Sequence, residues 1–150
     1  MIKSTLCYIK KDGCLLMMLR DKKENDLNEG KWVGVGGKFE KGESPEECLL
    51  REVKEETGLT LLSWTFHGIV NFHSDKWPSE AMYLYSADAY EGTLSVCSEG
   101  TLKFVPEDEV LNLPMWEGDK YFLTEMLAGR TDIDMTLRYE GDSLVRLDNK

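Results

Sequence analysis

From Ser44 to Gly58 the chain marks out a helix at both ends, and that helix constrains everything around it. Ser44 stands where an N-cap is needed, Pro45 at the first helical position, and Glu47 where a capping box closes. Gly58 is the residue type that turns left-handed and stops a helix. Between these limits Glu52, Glu55 and Glu56 recur at i, i+3 and i+4, which at about 100° per residue places them on one face. Leu49, Leu50, Val53 and Thr57 fall on the neighbouring face. One stripe is acidic, and the next is built to pack.

Carboxylates stacked in this way repel one another by roughly a few tenths of a kcal/mol per pair. A solvated acidic face, with Arg51 and Lys54 as local ion-pair partners, is the plain reading of such a stripe. The chemical reading is a site for hard divalent cations. Mg²⁺ takes oxygen ligands, keeps several waters and completes its shell with substrate phosphates.

The flanking segments read as strands and turns. Ile2 to Lys10 and Cys14 to Arg20 are apolar-rich runs joined by Lys11-Asp12-Gly13, a hairpin pattern. Asp21 to Lys31 is polar and predicts a loop. Trp32 to Phe39, with Gly34, Gly36 and Gly37, predicts a short strand running into a tight bend. Leu61 to His73, Ala81 to Tyr90 and Thr101 to Val105 have strand composition, the last ending at Pro106. Trp116 to Leu127 has helical apolar spacing and ends before Gly129. Asp132 to Tyr139 and Ser143 to Leu147 flank Glu140-Gly141-Asp142 as a closing hairpin. This order predicts a mixed α+β fold, one domain over residues 1–150, with a central sheet and helices packed on it.

Composition narrows the function classes. With 41% hydrophobic and 31% charged residues the chain is expected to fold alone as a globular protein. It shows no apolar run of membrane length and no signal-peptide layout at Met1 to Tyr8, so a cytoplasmic protein without membrane partners is expected. Cys7, Cys14, Cys48 and Cys97 lack any C-x-x-C pairing and predict reduced thiols rather than a zinc site. A net charge of −10 disfavours binding to duplex nucleic acid, yet admits a polyphosphate substrate if cations stand between carboxylates and phosphates.

The segment from Gly37 through Glu43, Arg51-Glu52-Val53, Glu55-Glu56 and Gly58-Leu59 fits G-x5-E-x7-R-E-U-x-E-E-x-G-U, with U aliphatic, at every prescribed position. This pattern resembles the Nudix box. The resemblance implies an α/β/α sandwich with a central mixed sheet and a hydrolase acting on a nucleoside diphosphate linked to another group. It implies Mg²⁺, or Mn²⁺, as cofactor, held by Glu52, Glu55 and Glu56 with the carbonyl of Gly36. Arg51 and Glu43 would brace the loop against the helix, supported by Gly37 and Gly58. Lys38 would meet a phosphate, and Glu99, on a loop after the box helix, would serve as base or further ligand. Glu52, Glu55, Arg51 and Glu99 are thus the expected catalytic group.

Outside the box, Lys31 to Lys38 and Leu113 to Asp119 resemble the corresponding segments of oxidised-purine nucleoside triphosphate diphosphatases of the MutT type. The resemblance implies that Trp116 stacks on the base and Asp119 bonds its edge. Phe72, His73, Met82 and Tyr83 are expected to line the same pocket, His73 without a catalytic part. Two positions depart from the pattern: Val33 replaces an asparagine and Gly118 an acid, which bears on the choice between oxidised and normal guanine. The substrate expected is a nucleoside triphosphate such as 8-oxo-dGTP, cut to release pyrophosphate by a monomer or homodimer. ADP-ribose, another dinucleotide or an RNA 5′ end remain open alternatives. So does a silent nucleotide-binding sensor, which would require a decayed box.

Overall fold

Asp12 and Gly13 both adopt positive φ, 51° and 76°, and so close the tight turn between β1 (Ile2–Lys11) and β2 (Cys14–Leu19). The structure is a computed structural model describing residues 1–22 and 26–150. Of the loop expected over Asp21 to Lys31, residues 23–25 lie outside the described residues.

The remaining strands are β3 (Trp32–Val33), β4 (Thr60–Ser74), β5 (Glu80–Glu91), β6 (Thr101–Pro106), β7 (Ile133–Glu140) and β8 (Ser143–Asn149). They pair in the order β3-β2-β1-β5-β4-β7-β8, with β6 also on β2. The β1–β5 and β4–β7 pairs are parallel, and the others are antiparallel, so the sheet is mixed. The helices are α1 (Pro45–Thr57), α2 (Glu107–Val110) and α3 (Asp119–Leu127).

Strand alternation sends neighbouring side chains into two separate cores. Cys7, Ile9, Leu16, Met18, Tyr85 and Ala87 meet Leu49 and Val53 of α1 on one face. Tyr8, Leu15, Met17 and Leu84 meet Phe122, Leu123 and Met126 of α3 on the other. A sheet buried on both sides explains why β2 is apolar at every position rather than alternating. The layers form an α/β/α sandwich.

The start of α1 matches its sequence signals. Ser44 Oγ accepts from Glu47 N, and Glu47 Oε1 accepts from Ser44 N, a reciprocal cap worth about 1 kcal/mol. Gly58 ends the helix at φ 80°. Elsewhere the boundaries shift. α3 begins at Asp119 rather than at Trp116, because the Trp116 carbonyl accepts from Asp119 N in a turn that precedes the helix. The one-turn helix α2 directly after Pro106 is too short for periodicity to reveal. All four cysteines are free, three buried and Cys14 half-buried. Among the described residues no helix is long and apolar enough to cross a membrane.

Candidate active site

The site begins where the chain from Val35 to Phe39 runs antiparallel along β1. Cys7 and Val35 exchange backbone bonds of 2.6 and 2.9 Å, Thr5 N donates to Gly37 O at 2.9 Å, and Phe39 N donates to Lys3 O at 3.0 Å. As the short strand and tight bend expected here imply, only Trp32–Val33 is regular and the rest makes isolated bridges. The cause is Gly36, whose φ of 150° breaks the pleat and whose backbone passes so close to β1 that a Cβ would lie 2.0 Å from Thr5 O.

Arg51 ties this loop to α1. Its Nε donates to Glu43 Oε2 at 2.7 Å, its Nη2 to Glu43 Oε1 at 2.9 Å and to the Lys38 carbonyl at 3.1 Å. Through Nη1 it also holds Glu52 at 2.7 Å and Glu55 at 3.2 Å. Glu43, gripped by this fork, sits at about pH 2 in its titration. Glu52 moves the opposite way, because its burial outweighs the attraction of Arg51.

Glu56 is the buried member of the acidic stripe. Its Oε1 accepts from Gly36 N at 2.6 Å, while Oε2 is buried with no hydrogen-bond partner. Burial and the facing carboxylate of Glu99 push its pKa well above the usual carboxylate range, against the pull of the Gly36 amide. Glu55 is exposed, and Glu99 is half-buried with Arg20 Nη1 at 3.3 Å. Among the described residues no three acidic, histidine or cysteine side chains converge as a ready cage, since Arg51 draws Glu52 and Glu55 toward itself.

A cavity of about 530 Å³ runs from this carboxylate end to an aromatic end. Gly36, Gly37, Lys38, Arg51, Glu52 and Glu99 line the first, with Lys38 exposed at the mouth. Val33, Phe72, Met82, Trp116, Asp119 and Leu137 line the second. Trp116 packs edge-on against Tyr139 and Phe72, with centroids 4.8 and 5.6 Å away. Lys31 Nζ stands 4.6 Å over its ring, and its indole N–H donates to Asn28 Oδ1 at 2.8 Å.

His73 and Tyr83 do not line this cavity, contrary to expectation. Both sit one residue out of phase with Phe72 and Met82, so the pleat turns them to the opposite face. His73 instead bonds Ser79 Oγ at 2.8 Å, and Tyr83 packs between Phe39 and Phe66. Gly118 is required where it stands: its N–H donates to Tyr139 OH at 2.7 Å, and a Cβ would lie 2.6 Å from both that hydroxyl and Leu137 Cδ1.

Asp119 is buried at the start of α3, and burial pushes its pKa up to about 8 despite the attraction of Lys31. The unfolded chain loses this proton near 3.8, so between these values the folded state binds more protons and stability falls as pH rises. Asp119→Asn is therefore expected to gain stability on the parent between pH 5 and pH 8, by about 1–3 kcal/mol in denaturant titrations. Parallel pH profiles for the two proteins would exclude a protonated Asp119.

A family model described as NUDIX domain matches residues 3–126. The chain belongs to the Nudix family. The Nudix hydrolase YvcI of Bacillus subtilis (strain 168) is 32% identical over 140 residues, spanning 90% of this chain and 85% of its own. An oxidized purine nucleoside triphosphate hydrolase of Danio rerio is 32% identical over 126 residues, 82% of this chain and 78% of its own. In three dimensions a MutT protein from Bacillus halodurans superposes with a TM-score of 0.89 at 29% identity, covering 100% of this chain and 98% of its own.

Several residues of this Nudix cavity escaped sequence reasoning. Arg20 joins Asp26 at 2.6 Å to Glu99, Asn28 anchors Trp116, and Ser4 and Glu80 contribute to the wall. Arg20 ends a recognisable strand pattern, but its partner Glu99 lies 79 residues away, a pairing only the fold creates.

Proposed function

We propose that this Nudix hydrolase cuts nucleoside triphosphates to nucleoside monophosphate and pyrophosphate with Mg²⁺ or Mn²⁺, and that oxidised purine nucleotides such as 8-oxo-dGTP are its substrates. The observation that carries this reading is one cavity that joins Gly36, Glu52 and Glu99 to the Trp116 and Asp119 end. Its volume of about 530 Å³ suits a nucleotide.

The residues present fit a hard divalent cation. Every candidate donor is oxygen, and the buried Glu56 Oε2 has no hydrogen-bond partner, an arrangement costly to keep unless a ligand uses it. Glu52, Glu55, Glu56, Glu99 and the Gly36 carbonyl would hold such ions. When bound, they would polarise phosphoryl oxygens and offset charge on the leaving pyrophosphate.

The chain's own groups do the rest. Lys38 at the mouth offers a positive charge to the outer phosphates. Arg51 keeps the loop and helix in register through Glu43, so Glu52 stays at the cavity wall. Glu99 accepts the proton of the attacking water, with Arg20 fixing its orientation through Oε2. At the far end, a base stacked on Trp116 would take the place of the Lys31 ammonium, and Asp119 would bond the base edge.

Comparing 8-oxo-dGTP, dGTP, other nucleoside triphosphates and ADP-ribose, with products identified, tests this. Pyrophosphate release with the highest kcat/KM on 8-oxo-dGTP is expected. Trp116→Ala should raise its KM by about tenfold through lost stacking. A preference for ADP-ribose would overturn the base-pocket reading.

A further inference from the structure

Glu80 lines the cavity with a carboxylate that the proposed reaction does not use. In the β4–β5 pair Phe72 and Glu80 are directly opposed, so both side chains rise from the same face, with Cβ atoms about 5 Å apart. Met82 follows Glu80 on that face, and Ser4 of β1 is its partner. Ser4, Leu6, Phe72, Glu80, Met82 and Leu137 all line the cavity. Glu80 is the ionisable group among these six, directly beside the ring that packs on Trp116.

Its orientation is set. Ser4, 3% exposed, donates its hydroxyl to Glu80 Oε2 at 2.6 Å. Among the described residues Glu80 Oε1 has no hydrogen-bond partner and remains free for a donor on a ligand. Val33 and Gly118 bring no polar side-chain atom to this space, and Asn28 Oδ1 is occupied by Trp116. Asp119 and Glu80 thus both bring carboxyl groups to the cavity that Phe72 and Trp116 line.

We propose that Glu80 is the residue by which this pocket selects a purine carrying a hydrogen on N7, as an 8-oxopurine does, over the ordinary purine. The proposal rests on the reading of this cavity end as the base site. Ordinary guanine presents N7 and O6 as acceptors, so a carboxylate facing N7 meets a lone pair and repels it. Oxidation at C8 places a hydrogen on N7 and turns the same contact into a hydrogen bond. One atom thus changes the sign of the interaction, a stronger discriminator than shape alone.

The test compares kcat/KM for 8-oxo-dGTP and dGTP, and Kd for 8-oxo-dGMP and dGMP by metal-free calorimetry, in the parent, Glu80→Gln, Ser4→Ala and Trp116→Ala. Glutamine is isosteric and its amide can turn an N–H toward an unprotonated N7. Glu80→Gln is expected to lower the preference for the 8-oxo form by about tenfold or more, with the change carried by KM and matched in Kd. Ser4→Ala, which frees the carboxylate, should lower it by a smaller factor. Thermal melts confirm that the variants fold.

A preference unchanged in Glu80→Gln and Ser4→Ala, while Trp116→Ala still weakens nucleotide binding, overturns the role of Glu80 and spares the base site. If Trp116→Ala binds both nucleotides as the parent does, the base site itself is misplaced. A parent without preference for either form also overturns the proposal.

Discussion

Replacing Glu56 with glutamine is expected to lower turnover by about a thousandfold while the protein still folds. The amide preserves the shape and can still accept from Gly36 N, so the close crossing of loop and helix survives. What it removes is the acidic oxygen that lies buried without a hydrogen-bond partner. The pH dependence has a definite sign. Folded Glu56 keeps its proton well above the ordinary value of 4.5, at which the unfolded chain releases it. The parent therefore loses stability as pH rises above that value, and Glu56→Gln should not. Magnesium-titrated kinetics together with melts at pH 5 and pH 8 measure both effects. Undiminished magnesium-dependent turnover would remove Glu56 from the metal site.

The second large effect is expected from the smallest change. A Cβ on Gly37 would lie 2.5 Å from Glu52 Cδ and Oε2. The obstacle is the end of a flexible side chain, so the fold can yield, but only by moving the carboxylate away from its 2.7 Å contact with Arg51. Gly37→Ala should therefore lose about a hundredfold in kcat/KM while its melting temperature falls by only a few degrees. Gly36→Ala makes the control. There the Cβ would strike the Thr5 carbonyl at 2.0 Å, a backbone that cannot step aside, so destabilisation should dominate. Equal losses of stability in the two variants would show that Glu52 is not what Gly37 makes room for.

The contrast between these neighbours also shows what the sequence makes legible. Ser44, Pro45, Glu47 and Gly58 announce the helix because capping is local, and Glu43 to Glu56 announce the box because its spacing is fixed by that helix. Strand existence was equally readable, from β1 through the closing hairpin. What local pattern could not supply was phase and distance. His73 and Tyr83 differ from Phe72 and Met82 by one position, yet the pleat sends them to the other face of the sheet. Trp116 carries helical spacing but belongs to the turn before α3, because that turn presents it to Phe72, Tyr139 and Asn28. Glu80 reads as an ordinary polar residue at the end of a loop until β4 and β1 are laid on either side of it.

The wedge of Gly118 against Tyr139 and Leu137 has a consequence for how the molecule can diversify. The family match ends at residue 126, whereas this back wall comes from the hairpin that follows. One wall of the pocket, at Leu137, is thus written outside the stretch that carries the box. Substitutions at Leu137 of β7 can change the shape of the cavity's aromatic end without touching any residue between Gly36 and Gly58. The closing hairpin thus acts as a mould set behind the cutting edge, and Leu137 is the point at which it reaches the cavity.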